Sequence, residues 1–215
     1  MHVERVRIPS GTITLEGEIG KPEKFNGKIA AVICHPHPLF GGTMHNNVVS
    51  ALFYTLPENG IVALRFNFRG VDGSQGEYEN GIGEKEDVNS AINYLIKELS
   101  PRLKEVAVIG YSFGAWVGLS AAVENKLAKI MIAIAPPVKL FNFDYIKNVK
   151  KPKFFILGDL DDFAPLEDFL TFYEKVSPPK NYAILQGADH FFYGYELELA
   201  TIVTNLLKTG VNKKK

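Results

Sequence analysis

The sequence has a single cysteine, Cys34, no excess of charge of either sign and no long apolar run. One cysteine cannot form a disulfide within the chain, which excludes the disulfide-rich class of secreted domains. Lys+Arg and Asp+Glu both number 24, so nothing predicts the basic surface that nucleic acids and anionic membranes attract. No apolar stretch reaches the ~18 residues of a membrane span, and charges stand where a signal peptide has its apolar core. We therefore expect a cytoplasmic protein with neither nucleic-acid nor membrane partners.

What the chain does contain is the composition of an ordinary globular protein. Of its 215 residues, 46% are hydrophobic and 22% are charged. A chain of this length can bury roughly 70% of its unfolded surface. Because no repeat, low-complexity segment or Pro/Ser-rich linker divides it, we expect one domain over residues 1–215.

The apolar pattern alternates between two kinds of segment. The stretches "HVERVRI" and "TITLEGEIG", joined by the turn "PSG", predict an antiparallel hairpin. Nearly continuous apolar runs follow and are typical of strands covered on both faces: "KIAAVIC", "IVALRFNF", "EVAVIGYS", "KIMIAIA", "KFFILGD" and "NYAILQG". Helix-like stretches lie between them, at 47–56, 84–99, 113–124, 166–176 and 194–207. This order predicts an α/β fold with a mostly parallel, doubly wound sheet after the hairpin.

One motif stands at a strand-to-helix junction, where ligands of such sheets bind. The stretch "GYSFG", residues 110–114, is a G-x-S-x-G whose serine, Ser112, falls between an apolar run and a helix-like stretch. A serine on so tight a turn needs small neighbours two residues away, and here they are Gly110 and Gly114. The plain alternative is that Ser112 only caps the helix. The context favours a nucleophile.

This motif resembles the nucleophile elbow of the α/β-hydrolases. The resemblance extends over nearly the whole chain, through "HPHPLFGG", "FNFRGVDGSQGEYENGIGEKED" and "GADHFF", and points to small, uncapped members similar to dienelactone hydrolases and short-chain esterases. It implies an α/β-hydrolase fold, catalysis without a cofactor, and triad residues in the order Ser, Asp or Glu, His.

The resemblance assigns the base and the acid. His190, the only histidine after Ser112, follows the last apolar run, where the family carries its base. The stretch "GDLDDFAP" is similar to the family's G-x-x-D-x-x-V-P and selects Asp161 as the acid. Asp162 remains an alternative, and Asp144 a lesser one, because some relatives carry their acid after the preceding strand.

The loop "CHPHPLFGG" has two readings. His35, His37 and His45 suggest a metal site, but His45 falls at the start of the next predicted helix, and the sequence nearby offers no carboxylate and no cysteine except Cys34 as further ligands. Acyl transfer instead needs two N–H donors for the oxyanion: one from Phe113, after the nucleophile, and one from this loop. Proline cannot donate, which leaves His37, Leu39 and Phe40. Alignment with dienelactone-like relatives favours Leu39, and the spacing in many lipases favours His37. We expect Leu39, no metal, and His35 bracing the loop.

About fifteen residues, "VKLFNFDYIKNVKKP", occupy the place where larger relatives insert a cap domain. We therefore expect no cap domain, and an open cleft for small-molecule esters with small or short acyl groups. The sequence leaves open amide or peptide cleavage and acyl transfer on the same residues. A non-catalytic binding protein with this fold is the remaining alternative.

Overall fold

The computed structural model describes residues 1–25 and 29–209. The strands are β1 (His2–Ser10), β2 (Ile13–Lys21), β3 (Ile29–Cys34), β4 (Val62–Phe66), β5 (Glu105–Tyr111), β6 (Ala128–Ile134), β7 (Lys153–Gly158) and β8 (Lys180–Leu185). The α-helices are α1 (Asn47–Glu58), α2 (Ile82–Leu99), α3 (Phe113–Glu124), α4 (Leu166–Glu174) and α5 (Glu196–Thr209). Each predicted strand and helix is present within a few residues of its expected bounds.

All eight strands form one sheet in the order β1-β2-β4-β3-β5-β6-β7-β8. The strand β2 pairs antiparallel with β1 and β4, and the other pairs are parallel. The hairpin turns at Gly11 and Thr12 rather than at "PSG", because β1 continues to Ser10, which faces Ile13. The predicted α/β-hydrolase architecture with an N-terminal antiparallel hairpin is confirmed.

The central strands β3, β4, β5 and β7 are buried on both faces, as the continuous apolar runs predicted. Side chains of successive strand residues point to opposite sides. Val32 and Val108 therefore belong to one buried cluster, which includes residues of α2, α3 and α4. Ile33 and Ile109 belong to the other, which includes residues of α1 and α5. Two helical layers thus hold the sheet rigidly between them.

The segment between β6 and β7 contains one short 3₁₀ helix, Asp144–Ile146, and no cap domain is inserted there. Because β5, β7 and β8 are parallel, the residues that follow them meet at one edge of the sheet. None of the helices in the described ranges is long and apolar enough to span a membrane. Lys28, the first residue of the predicted third strand, lies outside the described residues. The expectation of a single domain over 1–215 stays a prediction.

Candidate active site

Ser112 occupies the sharp turn between β5 and α3. Its backbone has φ 56° and ψ −118°, a conformation that a residue with a side chain adopts only at a cost of about 1–3 kcal/mol. Its N–H donates to the carbonyl of Ile134 on the neighbouring strand, 2.9 Å away. A Cβ on Gly110 would lie 2.2 Å from the Gly114 carbonyl oxygen, and one on Gly114 2.4 Å from that of Cys34. The two glycines therefore allow the strained turn, which exposes the Ser112 hydroxyl.

A chain of hydrogen bonds joins Ser112 to the loops after β7 and β8. The Ser112 Oγ lies 3.0 Å from His190 Nε2. The other ring nitrogen, Nδ1, lies 2.9 Å and 2.8 Å from the two carboxylate oxygens of Asp161. A carboxylate only accepts, so Nδ1 carries the hydrogen of the neutral ring and Nε2 accepts from the serine hydroxyl. The geometry allows the imidazole to remove the hydroxyl proton.

The Asp161 carboxylate is itself held in place. Its Oδ1 accepts the backbone N–H groups of Phe163, at 2.9 Å, and Ala164, at 2.7 Å. Asp161 is 4% exposed and His190 8% exposed. The alternative acids lie elsewhere, since Asp162 is exposed and Asp144 pairs with Lys147 at 2.6 Å. Of the three predicted acids, the structure brings Asp161 to His190.

Two contacts that the sequence analysis missed fix the loop of the histidine. The hydroxyl of Tyr111 donates to the carbonyl of His190 at 2.7 Å. Burial, and then the charge of Asp161, raises the pKa of Tyr111, which keeps this donor protonated. Asp159 accepts the N–H of Gly187 at 2.6 Å and ties the loop after β7 to the loop after β8. The only sequence signal was the position of Tyr111 and Asp159 at strand ends.

The loop after β3 lines the cavity at Ser112 and contains the candidate N–H donors. Phe113 is the first residue of α3, so its N–H has no acceptor within the helix. In the loop, the N–H of Leu39 donates to His37 Nδ1 at 3.2 Å, and that of Phe40 to the carbonyl of His37 at 3.1 Å. His37 lines the cavity at Ser112, whereas Leu39 is 66% exposed and is not among the described residues that line it.

This arrangement favours His37, the other candidate, over Leu39 as the second donor. Residues Pro38–Phe40 form a 3₁₀ turn that begins with proline and is capped by the side chain of His37. The cap uses the N–H of Leu39 inside the loop. The sequence signal was a proline at the first position of a turn, and the alignment gave it no weight. Of the candidate donor residues, His37, Phe40 and Phe113 line the cavity, and the N–H of Phe40 is bonded to the carbonyl of His37.

The three histidines of the loop have separate surroundings. His35 is buried and its Nε2 accepts the N–H of Phe68 at 3.0 Å, so its Nδ1–H donates to the Pro36 carbonyl at 2.7 Å. Burial lowers the pKa of His35 to about 4. His45 is exposed. Within the described ranges, no three His, Cys, Asp or Glu side chains are grouped as a metal ion would require. His35 joins the loop to the end of β4, as expected.

The glycine-rich segment between β4 and α2, residues 70–81, is held by Arg69. Its guanidinium donates to the fully buried Asp87 at 2.8 Å and pairs with Glu79 at 2.5 Å. These partners raise the pKa of Arg69 against the effect of burial. Arg69 thus forms buried structural hydrogen bonds to α2. The stretch is a brace between β4 and α2.

Ser112 and His190 open into a cavity of about 560 Å³. Its lining is mostly apolar and consists of Pro36, His37, Phe40, Gly41, Gly42, Asn46, Tyr111, Ser112, Phe113, Pro137, Leu140, Phe141, Phe163, His190 and Phe191. No Asp, Glu, Lys or Arg is among these described lining residues. Phe40, Leu140 and Phe163 are each at least half exposed and form an apolar rim. The cavity favours a neutral ligand with apolar parts.

Comparison with known proteins agrees with this geometry. The model of the X-Pro dipeptidyl-peptidase family S15, an α/β-hydrolase family, matches residues 13–149, a segment that contains Ser112 and ends before Asp161. An α/β serine hydrolase homologue from Coxiella burnetii is 35% identical, with a TM-score of 0.85 over 95% of this chain and 97% of that one. The chain belongs to the α/β serine hydrolases.

Further relatives match this chain over nearly its whole length. An α/β serine hydrolase from Xanthomonas campestris, described as having no lid, is 26% identical, with a TM-score of 0.88 over 100% of this chain and 98% of that one. A Rickettsia prowazekii protein described as uncharacterized is 34% identical over 209 residues, which cover 94% of this chain and 86% of the relative. The α/β serine hydrolase fold without a lid thus accounts for nearly the whole chain.

Proposed function

We propose that this α/β serine hydrolase cleaves carboxylic esters, with Ser112 as nucleophile, His190 as general base and acid, and Asp161 as the residue that orients His190. The observation that carries the proposal is the unbroken hydrogen-bond chain from Asp161 through His190 to Ser112, 2.8 Å and 3.0 Å long, at the floor of an apolar cavity. We assign the oxyanion hole to the N–H groups of Phe113 and His37.

The reaction follows from the positions of the atoms. As Ser112 Oγ bonds to the ester carbonyl carbon, its proton passes to His190 Nε2, and Asp161 stabilises the imidazolium. The carbonyl oxygen becomes an oxyanion that accepts the two backbone N–H groups. His190 then gives its proton to the alkoxide as the carbon–oxygen bond breaks. A water molecule, deprotonated by His190, releases the acid from Ser112 by the same steps.

The residues that line the cavity favour an ester as the substrate over the amino-terminal end of a peptide. An enzyme that removes dipeptides from an amino terminus must bind an ammonium group, and burying that charge requires acceptors, usually a carboxylate. The described residues that line the cavity include no carboxylate, and the carboxylate of Asp161, which does not line it, is already bonded to His190. The match to the S15 peptidase family keeps peptide cleavage as the second candidate. The apolar lining supports a neutral ester as the substrate.

The absent cap supports small or short acyl groups. The segment between β6 and β7 folds against the body of the protein, where Tyr145 donates to the carbonyl of Trp116 at 2.6 Å and Trp116 donates to that of Asn142 at 3.1 Å. It leaves Leu140 and Phe163 at an open rim rather than beneath a lid. A long alkyl chain would extend past this rim into water and gain little from burial.

A substrate series tests the proposal. We expect p-nitrophenyl acetate and butyrate to be cleaved with a higher kcat/KM than the C12 ester, and glycyl-prolyl-p-nitroanilide to be cleaved far more slowly than either. Preference for C12 or longer chains would refute the short-acyl specificity. Faster cleavage of the dipeptidyl anilide would favour the peptidase alternative, and no cleavage of any substrate would favour a binding protein. The Ser112→Ala variant serves as the blank.

A further inference from the structure

The glycine-rich segment before α2 contacts the loop after β3, residues 35–42, through the side chain of Tyr78. Tyr78 is half-buried between exposed neighbours, and its Oη lies 3.2 Å from Nε2 of His37. The two rings are 5.2 Å apart between centroids. The reaction described above assigns Tyr78 no part, although it touches the residue whose backbone we assign to the oxyanion hole.

The hydrogen bonds of His37 define its tautomer. Its Nδ1 accepts the N–H of Leu39 and therefore carries no hydrogen. Burial lowers the pKa of His37, which favours the neutral ring. A neutral imidazole has one N–H, so Nε2 carries it and donates to the Tyr78 hydroxyl. The ring is thus fixed at both nitrogens, one in its own loop and one in the segment before α2.

Packing restrains the same ring on its faces and edges. The His37 centroid lies 4.7 Å from that of Phe113 and 4.7 Å from that of Phe40. Phe113 is the residue that carries the other assigned N–H. Tyr78 also packs near Phe113, with centroids 5.9 Å apart. The two residues that carry the oxyanion donors therefore contact each other and Tyr78.

The backbone of Tyr78 has a rigid support. The carboxylate of Glu84, a fully buried residue in the first turn of α2, accepts the N–H groups of Glu79 at 2.9 Å and Gly81 at 2.7 Å. Arg69 holds the Glu79 side chain. The residues beside Tyr78 are consequently anchored to the core, and the tyrosine can transmit that rigidity to an otherwise exposed loop.

We propose that Tyr78 is a positioning residue for the oxyanion hole, which acts by holding the His37 imidazole and, through it, the His37 backbone N–H. The inference rests on the proposed function, because it needs an oxyanion to be stabilised. A donor that is held in place before reaction stabilises the transition state without reorganisation. Loss of the Tyr78 hydroxyl should therefore lower kcat and leave KM nearly unchanged.

A double-mutant cycle on p-nitrophenyl butyrate hydrolysis tests this role. Tyr78→Phe removes only the hydroxyl. His37→Asn keeps an acceptor that can cap Leu39 but cannot reach Tyr78. We expect Tyr78→Phe to lower kcat about three- to tenfold, the effect of one hydrogen bond, with KM within about twofold. In the His37→Asn background, the same change should alter kcat less than about twofold.

Tyr145→Phe is the matched control, since it removes a tyrosine hydroxyl that bonds to the Trp116 carbonyl rather than to His37. It should leave kcat within about twofold of the wild-type value. A wild-type kcat in Tyr78→Phe, or the same fold loss in both backgrounds, would overturn the positioning role. If His37→Asn fails to fold, ¹⁵N NMR of the wild-type protein decides: the Nε2–H tautomer of His37 supports the role and the Nδ1–H tautomer contradicts it.

Labelling by a fluorophosphonate distinguishes a failure of the Tyr78 role from a failure of the proposed esterase function. A wild-type enzyme that is labelled at Ser112 and hydrolyses the ester, together with an unaffected Tyr78→Phe variant, would overturn only the role of Tyr78. A wild-type protein that is neither labelled nor active would overturn the proposed function and this inference with it.

Discussion

The nucleophile elbow and the histidine-proline loop meet at the same cavity, but their geometries have different origins. At the elbow, residues 110–114, steric limits decide the structure, because a Cβ at either flanking glycine would overlap backbone. In the loop, residues 35–42, a side chain decides it, because the His37 ring caps the turn and takes the N–H of Leu39. Steric limits leave a mark in the sequence. The choice of one hydrogen-bond partner among several leaves almost none.

The largest expected effect is at the elbow. Ser112→Ala removes the nucleophile and should lower kcat for p-nitrophenyl butyrate by at least about 10⁴-fold. Ser120→Ala, in the helix α3 that follows Ser112, is the matched control and should retain activity within about twofold. Circular dichroism checks that both variants fold. Substantial activity in Ser112→Ala would mean that another group attacks the ester.

The next largest effect should distinguish Asp161 from its neighbour Asp162. Asp161→Asn should lower kcat about 10³- to 10⁴-fold, because an amide in place of the carboxylate favours the wrong tautomer of His190. Asp162→Asn should change kcat less than about twofold, since Asp162 is exposed. Steady-state kinetics of the two variants at pH 7.5 make the comparison. A larger loss in Asp162→Asn than in Asp161→Asn would mean that Asp162, and not Asp161, orients His190.

The elements of the fold were predictable because their signals are local. Continuous apolar runs marked buried strands such as β3, and small residues around Ser112 marked the elbow. The acid was harder, since three aspartates follow β7 and only the resemblance to the family pattern selected Asp161. In the structure, its hydrogen bonds to His190 distinguish it, and these join residues 29 positions apart in the chain.

The remaining parts depended on contacts between distant segments. Tyr78 lies 41 residues from His37 along the chain, and no spacing rule joins them. The same is true of Tyr111 and the carbonyl of His190, 79 residues apart. Leu39 was favoured because the alignment compared positions and did not represent the side chain that occupies its N–H.

The buried His35, which anchors the loop, should make the free energy of unfolding depend on pH. Burial lowers the pKa of His35 from 6.5 to about 4, so between these values the unfolded chain binds a proton that the folded protein does not. Stability is therefore lost as the pH falls below 6.5. From pH 7 to pH 5 the loss should be about 2 kcal/mol for this group.

His35→Gln isolates that contribution, because a glutamine oxygen can still accept the N–H of Phe68 but does not titrate. Urea unfolding at pH 7, 6 and 5 should show a smaller loss of unfolding free energy in the variant than in the wild-type protein. Parallel losses in the two proteins would mean that His35 is protonated in the folded state or is accessible to water.

The smallest expected effect is at Cys34, where the loop leaves β3. The thiol is fully buried, and burial raises its pKa. Ellman's reagent at pH 8 should detect no reactive thiol in the native protein. In urea it should detect one thiol per chain. Iodoacetamide should leave the esterase activity of the native protein unchanged. Rapid native labelling together with lost activity would place a second nucleophile beside the oxyanion loop.

The proposed ester hydrolysis depends on a serine hydroxyl made nucleophilic by His190, and covalent labelling measures this most directly. Wild-type protein treated with a fluorophosphonate should gain one adduct, which peptide mass spectrometry places on Ser112. The adduct should be absent from Ser112→Ala and form at least about 10³-fold more slowly in His190→Ala. An unlabelled wild-type protein, or labelling of Ser112 at an undiminished rate without His190, would contradict the account.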